Sequence, residues 1–180
     1  MRRALTLLSL SLMAAGCSRS EMGHSDPADP ARMAQLQPEG AVVFAAERGA
    51  ELVHAGCSEF NLDTTRVSGY WTPSQADILR VEGILSETLR TQLGSHARTS
   101  AHTIGIARYY RQYAGVAFGS RRLVYINGFD KAFLSIPGRG GEMDWRHQPV
   151  SVCDGGVGLF TAAIDVDTGE VVGFGFNGYA

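Results

Sequence analysis

The sequence predicts an α+β domain in which one long helix lies across a four-stranded antiparallel meander. Three observations carry this. Ile78, Val81, Leu85, Leu89 and Leu93 recur at helical spacing between a proline-marked start and a glycine stop. From residue 104 onward that period gives way to β-branched and aromatic runs broken by glycine and aspartate turn signals. The order is helix first and strands afterwards, with no βαβ alternation, and the simplest solution is a meander covered on one face by the helix.

Ala41–Ala55 (AVVFAAERGAELVHA) fits either a helix or two short strands, and Gly49 weakens both. Thr72-Pro73-Ser74-Gln75 reads as a capping box with Pro73 at the first helical position, so a helix is expected over 73–93 with Gly94 as its stop. Glu82 lies next to the apolar stripe. It reads as a boundary carboxylate paired with an arginine, or as a buried functional acid. Ile104–Phe118 and Arg122–Phe129 then form two strands joined at Gly119-Ser120. Pro149–Asp165 is expected as a third strand, bent at Gly155-Gly156, and Val171–Asn177 as the fourth. The layout is similar to cystatin-like and nuclear-transport-factor-like folds, a likeness of architecture that carries no function.

The domain is expected over residues 39–180. Residues 1–16 read as an export signal: Arg2 and Arg3, then an apolar run from Ala4 to Ala15 that is too short to span a bilayer. The junction Ala14-Ala15-Gly16-Cys17 resembles the lipobox of bacterial lipoproteins, which implies a diacylated Cys17 as the mature N-terminus. Ser18 after it implies sorting to the outer membrane, facing the periplasm. Residues 17–38 are short of large apolar side chains and read as a flexible tether reaching about 25 Å. His24, Asp26 and Asp29 within it read as a solvated tail rather than metal ligands.

With 44% hydrophobic and 19% charged residues, the chain is neither disordered overall nor a basic nucleic-acid binder. Losing Arg2 and Arg3 with the signal takes the formal charge from −2 to −4, further from any phosphate-binding surface. The expected partners are therefore the membrane, through the lipid, and an envelope protein.

Of the three cysteines, Cys17 is assigned to lipid, and Cys57 and Cys153 are left for a disulfide in an oxidising compartment. The other reading is a catalytic thiol at Cys153, which would need a histidine base or a positive neighbour. Asp165-Val166-Asp167-Thr168-Gly169-Glu170 starts like a calcium loop, but the twelfth position is Phe176, so a hairpin turn is expected. Gly138-Arg139-Gly140-Gly141 lacks the strand and helix of a phosphate-binding loop. No histidine pair has ligand spacing, so neither a metal site nor a cofactor is expected.

Two surfaces could carry recognition. Asp144-Trp145-Arg146-His147 holds residue types found in binding hot spots, and could equally fold back as a cap over the sheet. Tyr109, Tyr110, Tyr113 and Tyr125 with Arg108, Arg111, Arg121 and Arg122 read either as stacking on a solvated face or as a contact surface.

Several stretches together resemble a set of small, uncharacterised, exported proteobacterial lipoproteins. They are Cys57-Ser58, Gly69-Tyr70-Trp71-Thr72-Pro73, Tyr113-Ala114-Gly115-Val116, Val124-Tyr125-Ile126-Asn127-Gly128-Phe129, Trp145, Val150-Ser151-Val152-Cys153-Asp154-Gly155-Gly156 and the closing Phe176-Asn177-Gly178. The resemblance implies an envelope location and no catalytic residues. The expectation is a non-enzymatic binding module, acting as inhibitor, immunity or accessory protein, with Trp145, Arg146, His147 and Asp154 as candidate contacts. The alternative is a small hydrolase or ligand carrier with a pocket between helix and sheet, using Glu82, Asp154, His102 or His147.

Overall fold

The computed structural model describes residues 38–95, 105–135 and 143–178. Cys17, His24, His96, His102 and the 138–141 glycine run lie outside these residues. The architecture is α+β, but the sheet is mixed and has six strands rather than four.

The chain order is β1 (Ala41–Val43), α1 (Gly49–Ala55), β2 (Val67–Trp71), α2 (Gln75–Ser95), β3 (Tyr109–Phe118), β4 (Arg121–Asp130), β5 (Leu159–Asp165) and β6 (Val171–Phe176). The last four strands run antiparallel in sequence order. The outer edge of β3 is shared by two short strands. β1 pairs parallel with Arg111–Tyr113, and β2 pairs antiparallel along Gly115–Phe118. Three and five residues long, β1 and β2 have too few positions to show a period, and only long-range pairing defines them. The ambiguous 41–55 stretch resolves into one strand, a 3-10 turn at Ala46–Arg48 and a two-turn helix. Gly49 is needed there because a Cβ would stand 2.5 Å from the ring of Tyr70.

The long helix starts two residues later than the sequence suggests. Its box is Ser74 with Asp77: the Asp77 N–H donates to Ser74 Oγ at 3.2 Å and the Ser74 N–H to the Asp77 carboxylate at 2.9 Å. Thr72 Oγ1 instead accepts from the Ala46 N–H, tying the turn before α1 to the end of β2. Ile78, Val81, Leu85, Leu89 and Leu93 all face the sheet and are buried.

The expected third strand is shorter than its sequence pattern. Gly155 and Gly156 take φ of 114° and 53°, which breaks the extended run, and β5 begins only at Leu159. Residues 149–158 leave the sheet plane, and Cys153 meets Cys57 in a disulfide with Cα atoms 4.7 Å apart.

Both faces of the sheet are covered, giving three layers. On one face α2 packs on Tyr109, Tyr113, Val124, Ile126, Phe160 and Ile164. On the other, α1 and the segment through Leu62 pack on Ala114, Val116, Leu123 and Tyr125, and the 143–152 segment covers Phe129. Double coverage explains why β3, β4 and β5 are buried along nearly their whole length instead of on alternate residues. It also corrects the aromatic and basic surface. Tyr109, Tyr113, Tyr125 and Arg111 are core, because both faces of β3 and β4 are covered there, while Arg121 and Arg122 at the start of β4 keep contact with water.

Burial has a consequence for alkaline stability. Desolvation holds the phenols of Tyr109 and Tyr125 protonated up to about 12, against the Arg108 charge at the first and a Thr161 hydrogen bond at the second. Burial first, then the Glu82 charge, pushes Tyr113 well above its ordinary value. The folded chain thus keeps protons that the unfolded chain gives up near pH 10. Stability is expected to be full below pH 10 and to fall as pH rises toward 12, by up to about 1.4 kcal/mol per unit for each tyrosine. Urea midpoints at pH 9, 10.5 and 11.5 check this, and a flat profile would contradict it.

Candidate functional site

The site starts from two polar residues inside apolar strands. Gln112 on β3 and Asn127 on β4 are register partners, both on the face opposite α2 and both buried. Buried amides require partners. The Gln112 Nε2 donates to the carbonyls of Trp145 at 2.6 Å and Gln148 at 2.7 Å, and its Oε1 accepts from the Val150 N–H at 2.9 Å. Asn127 Nδ2 donates to Gln112 Oε1 at 3.1 Å and to the Val150 carbonyl at 2.7 Å. Two core side chains therefore hold the backbone of residues 145–150 by four bonds, two on the surface turn and two on Val150 after it.

The turn itself is a local coil of hydrogen bonds, with His147 and Gln148 N–H groups donating to the Asp144 carbonyl at 2.9 and 2.8 Å. Trp145 points inward. It is 5% exposed, stacks on Tyr110 with centroids 4.3 Å apart, and meets Phe129 edge-on. Trp145 thus serves as a plug over the sheet, which is the cap arrangement. Arg146 and His147 point out. The Arg146 guanidinium lies 4.5 Å over the Trp145 ring. The His147 ring sits 2.9 Å from the Asp144 carboxylate. Arg48 of the preceding 3-10 turn donates to the His147 carbonyl and pairs with Glu51 at 2.6 Å, joining α1 to the turn.

Asp154, the fourth candidate contact, is half-buried beside Gly155, and no hydrogen bond or ion pair joins it to the turn among the described residues. Sequence reasoning overlooked Gln112 and Asn127. Their signal was available: a polar side chain in each of two adjacent apolar strands, at positions that a tight Gly119-Ser120 turn brings opposite one another.

Glu82 is on the other side of β3. Its carboxylate takes Arg111 Nε at 2.8 Å and Nη2 at 3.2 Å, and accepts from the Tyr113 hydroxyl. Arg111, 2% exposed, also donates to the carbonyls of Glu39 at 3.0 Å and Tyr109 at 2.5 Å. The node is a carboxylate paired with an arginine, and its remaining donors are spent on backbone. Because Glu82 and His147 lie on opposite faces of the sheet, they do not converge. The space between α2 and the sheet is filled by buried apolar side chains. A depression of about 460 Å³ lies outside it, against Glu87, Thr88, Thr91, Val171 and Phe174.

The calcium-like stretch is a hairpin turn. Asp165 accepts from the N–H groups of Asp167 and Thr168 and from Arg121, and Gly169 takes φ 79°. Burial raises the Asp165 carboxyl, and these bonds outweigh it and hold it low. Among the described residues no three His, Cys, Asp or Glu side chains form a metal-holding group. No helix among them is long and apolar enough to cross a membrane. No family model, curated protein or solved structure matches the chain.

Proposed function

We propose that the chain is a non-enzymatic binding module of the bacterial envelope, lipid-anchored at Cys17 on the outer membrane, that meets a protein partner through the Asp144–Gln148 turn. An inhibitor, an immunity protein or an accessory subunit would each use such a surface. The observation that supports this reading is the clamp of Gln112 and Asn127 on the turn backbone. A turn held at the Trp145 and Gln148 carbonyls, with Val150 just after it pinned by two further bonds, presents Arg146 and His147 with little ordering left to do on binding. The leader and the lipobox-like junction support the location, and the negative mature charge argues against nucleic acid.

Affinity capture from envelope extracts with the tagged full chain tests the proposal. The wild type should retain a partner that Arg146→Ala/His147→Ala loses by at least about tenfold, a change of about 1.4 kcal/mol. Equal retention by both proteins would remove the turn from the contact, and retention no better than a heat-denatured control would remove the binding role.

A further inference from the structure

The chemistry of the partner can be read one step further, on the premise that the turn is the contact surface. Nine arginines fall among the described residues, and seven of them donate to a carboxylate or a carbonyl. Arg66 and Arg146 do not. Arg66 lies against Phe118 at 4.4 Å, and the charge of Asp63 is close enough to feel it. Among the described residues Arg146 has no such neighbour. Asp144, the carboxylate two residues away, is engaged by the His147 ring.

Arg146 is unpaired but not loose. Its Cζ is seated 4.5 Å over the Trp145 ring, a contact that restrains the guanidinium. The guanidinium fork is planar, the geometry that takes a carboxylate through two parallel bonds. The stack continues inward and out again: Trp145 lies on Tyr110, and the Lys131 ammonium sits 5.4 Å from the Tyr110 ring. Among the described residues Lys131 is paired with Glu39 alone, at 3.5 Å, and that carboxylate is 95% exposed. Each ring of this aromatic pair therefore has a cation beside it, and among the described residues the one at Trp145 has no counter-charge.

We infer that the partner is an acidic protein segment that places one carboxylate on the fork of Arg146 and a second on Lys131. Peptide rather than membrane is favoured because the cations are interleaved with Asp144 and Glu39, whose charges would be repelled by a continuous anionic surface, whereas discrete carboxylates can be spaced between them.

The test is a titration of the full chain in neutral detergent, followed by the NMR signals of the Trp145 indole and Arg146 Nε. Two probes are compared, a peptide of alternating Glu and Ser and the same peptide with Gln for Glu. The Glu peptide should saturate these signals at least about tenfold tighter than the Gln peptide. Arg146→Lys should lose most of that difference although the charge is kept, because the fork is gone. Lys131→Gln should lose a smaller part, and Arg66→Gln should lose none. Equal binding of the two peptides would overturn the inference, as would a loss at Arg66→Gln matching that at Arg146→Lys. Saturation by phosphatidylglycerol vesicles with no preference between the peptides would also overturn it, in favour of a lipid surface. A partner captured through the turn, with no Glu preference here, would leave the binding role standing and sink only this account of its chemistry.

Discussion

Replacing Glu82 with alanine will destabilise the folded chain by about 3–5 kcal/mol. The side chains of Arg111 and Glu82 are 2% and 13% exposed, and Glu82 is the only carboxylate within reach of that guanidinium among the described residues. Without it, a cation that cannot discharge stays under α2 with only carbonyls and the Tyr113 hydroxyl oxygen as partners, and the Tyr113 O–H loses its acceptor. The cost is that of an uncompensated buried charge rather than the net worth of the pair. The two changes made together should therefore cost less than Glu82→Ala alone. Arg111→Met with Glu82→Ala replaces charge by apolar volume, and should recover most of the loss. Urea unfolding of the wild type, both single variants and the double variant measures the coupling. Additive effects, or a loss below about 1 kcal/mol at Glu82→Ala, would show that water reaches the pair and screens it.

Removing the disulfide is the second large effect. Cys57 and Cys153 are separated by 96 residues, and closing a loop of that length restricts the unfolded chain by about 4–5 kcal/mol in the loop-entropy treatment. Cys57→Ala/Cys153→Ala should lose stability of that order, and reduced wild-type protein should unfold at the same urea concentration as the variant. The bond joins segments with little regular pairing of their own. One is the run after α1, which has one β-bridge to the sheet, Ser58 with Asn177, and otherwise meets it through the Glu59 N–H and the Thr161 hydroxyl. The other is the irregular stretch before β5, tied by the Asn177 side chain to the Val152 carbonyl. The loss should therefore come with faster amide exchange at 57–60 and 150–158, while β3 and β4 stay protected. Uniform loss of protection would mean that these segments are not a separable unit.

The long helix and the four consecutive strands were legible because each has a repeating signal. Apolar residues at helical spacing identify α2, and the Gly119-Ser120 and Asp165–Glu170 turns bound β3, β4, β5 and β6. The disulfide pairing followed from the cysteine count once Cys17 was set aside, and the 57–153 bond is present. The turn at 144–148 could be singled out by composition but not oriented. Trp145 and Arg146 are adjacent in sequence, and which one turns inward depends on Tyr110 and Phe129, distant strand residues that supply the aromatic bed. The aromatic and basic strand pattern was misread for a related reason. Alternation predicts one wet face, and this sheet has none, because α1 and the 143–152 segment cover the side that α2 leaves open.

What the sequence by itself determined is whatever depends on neighbours along the chain: the α+β class, the span of α2 to within two residues, the order of the meander and the cysteine pair available for bonding. What only the tertiary structure decided depends on neighbours far apart. β1 and β2 exist because β3 offers them an edge, and 149–158 leaves the sheet because Gly155 and Gly156 turn it toward Cys57. Arg111 goes to the core because Glu82 waits there, and Arg146 stays at the surface because Gln112 and Asn127 fix the turn beneath it. Local propensity is a property of a few residues. A buried charge or amide is placed by whichever partner satisfies it, and that partner is chosen by the fold.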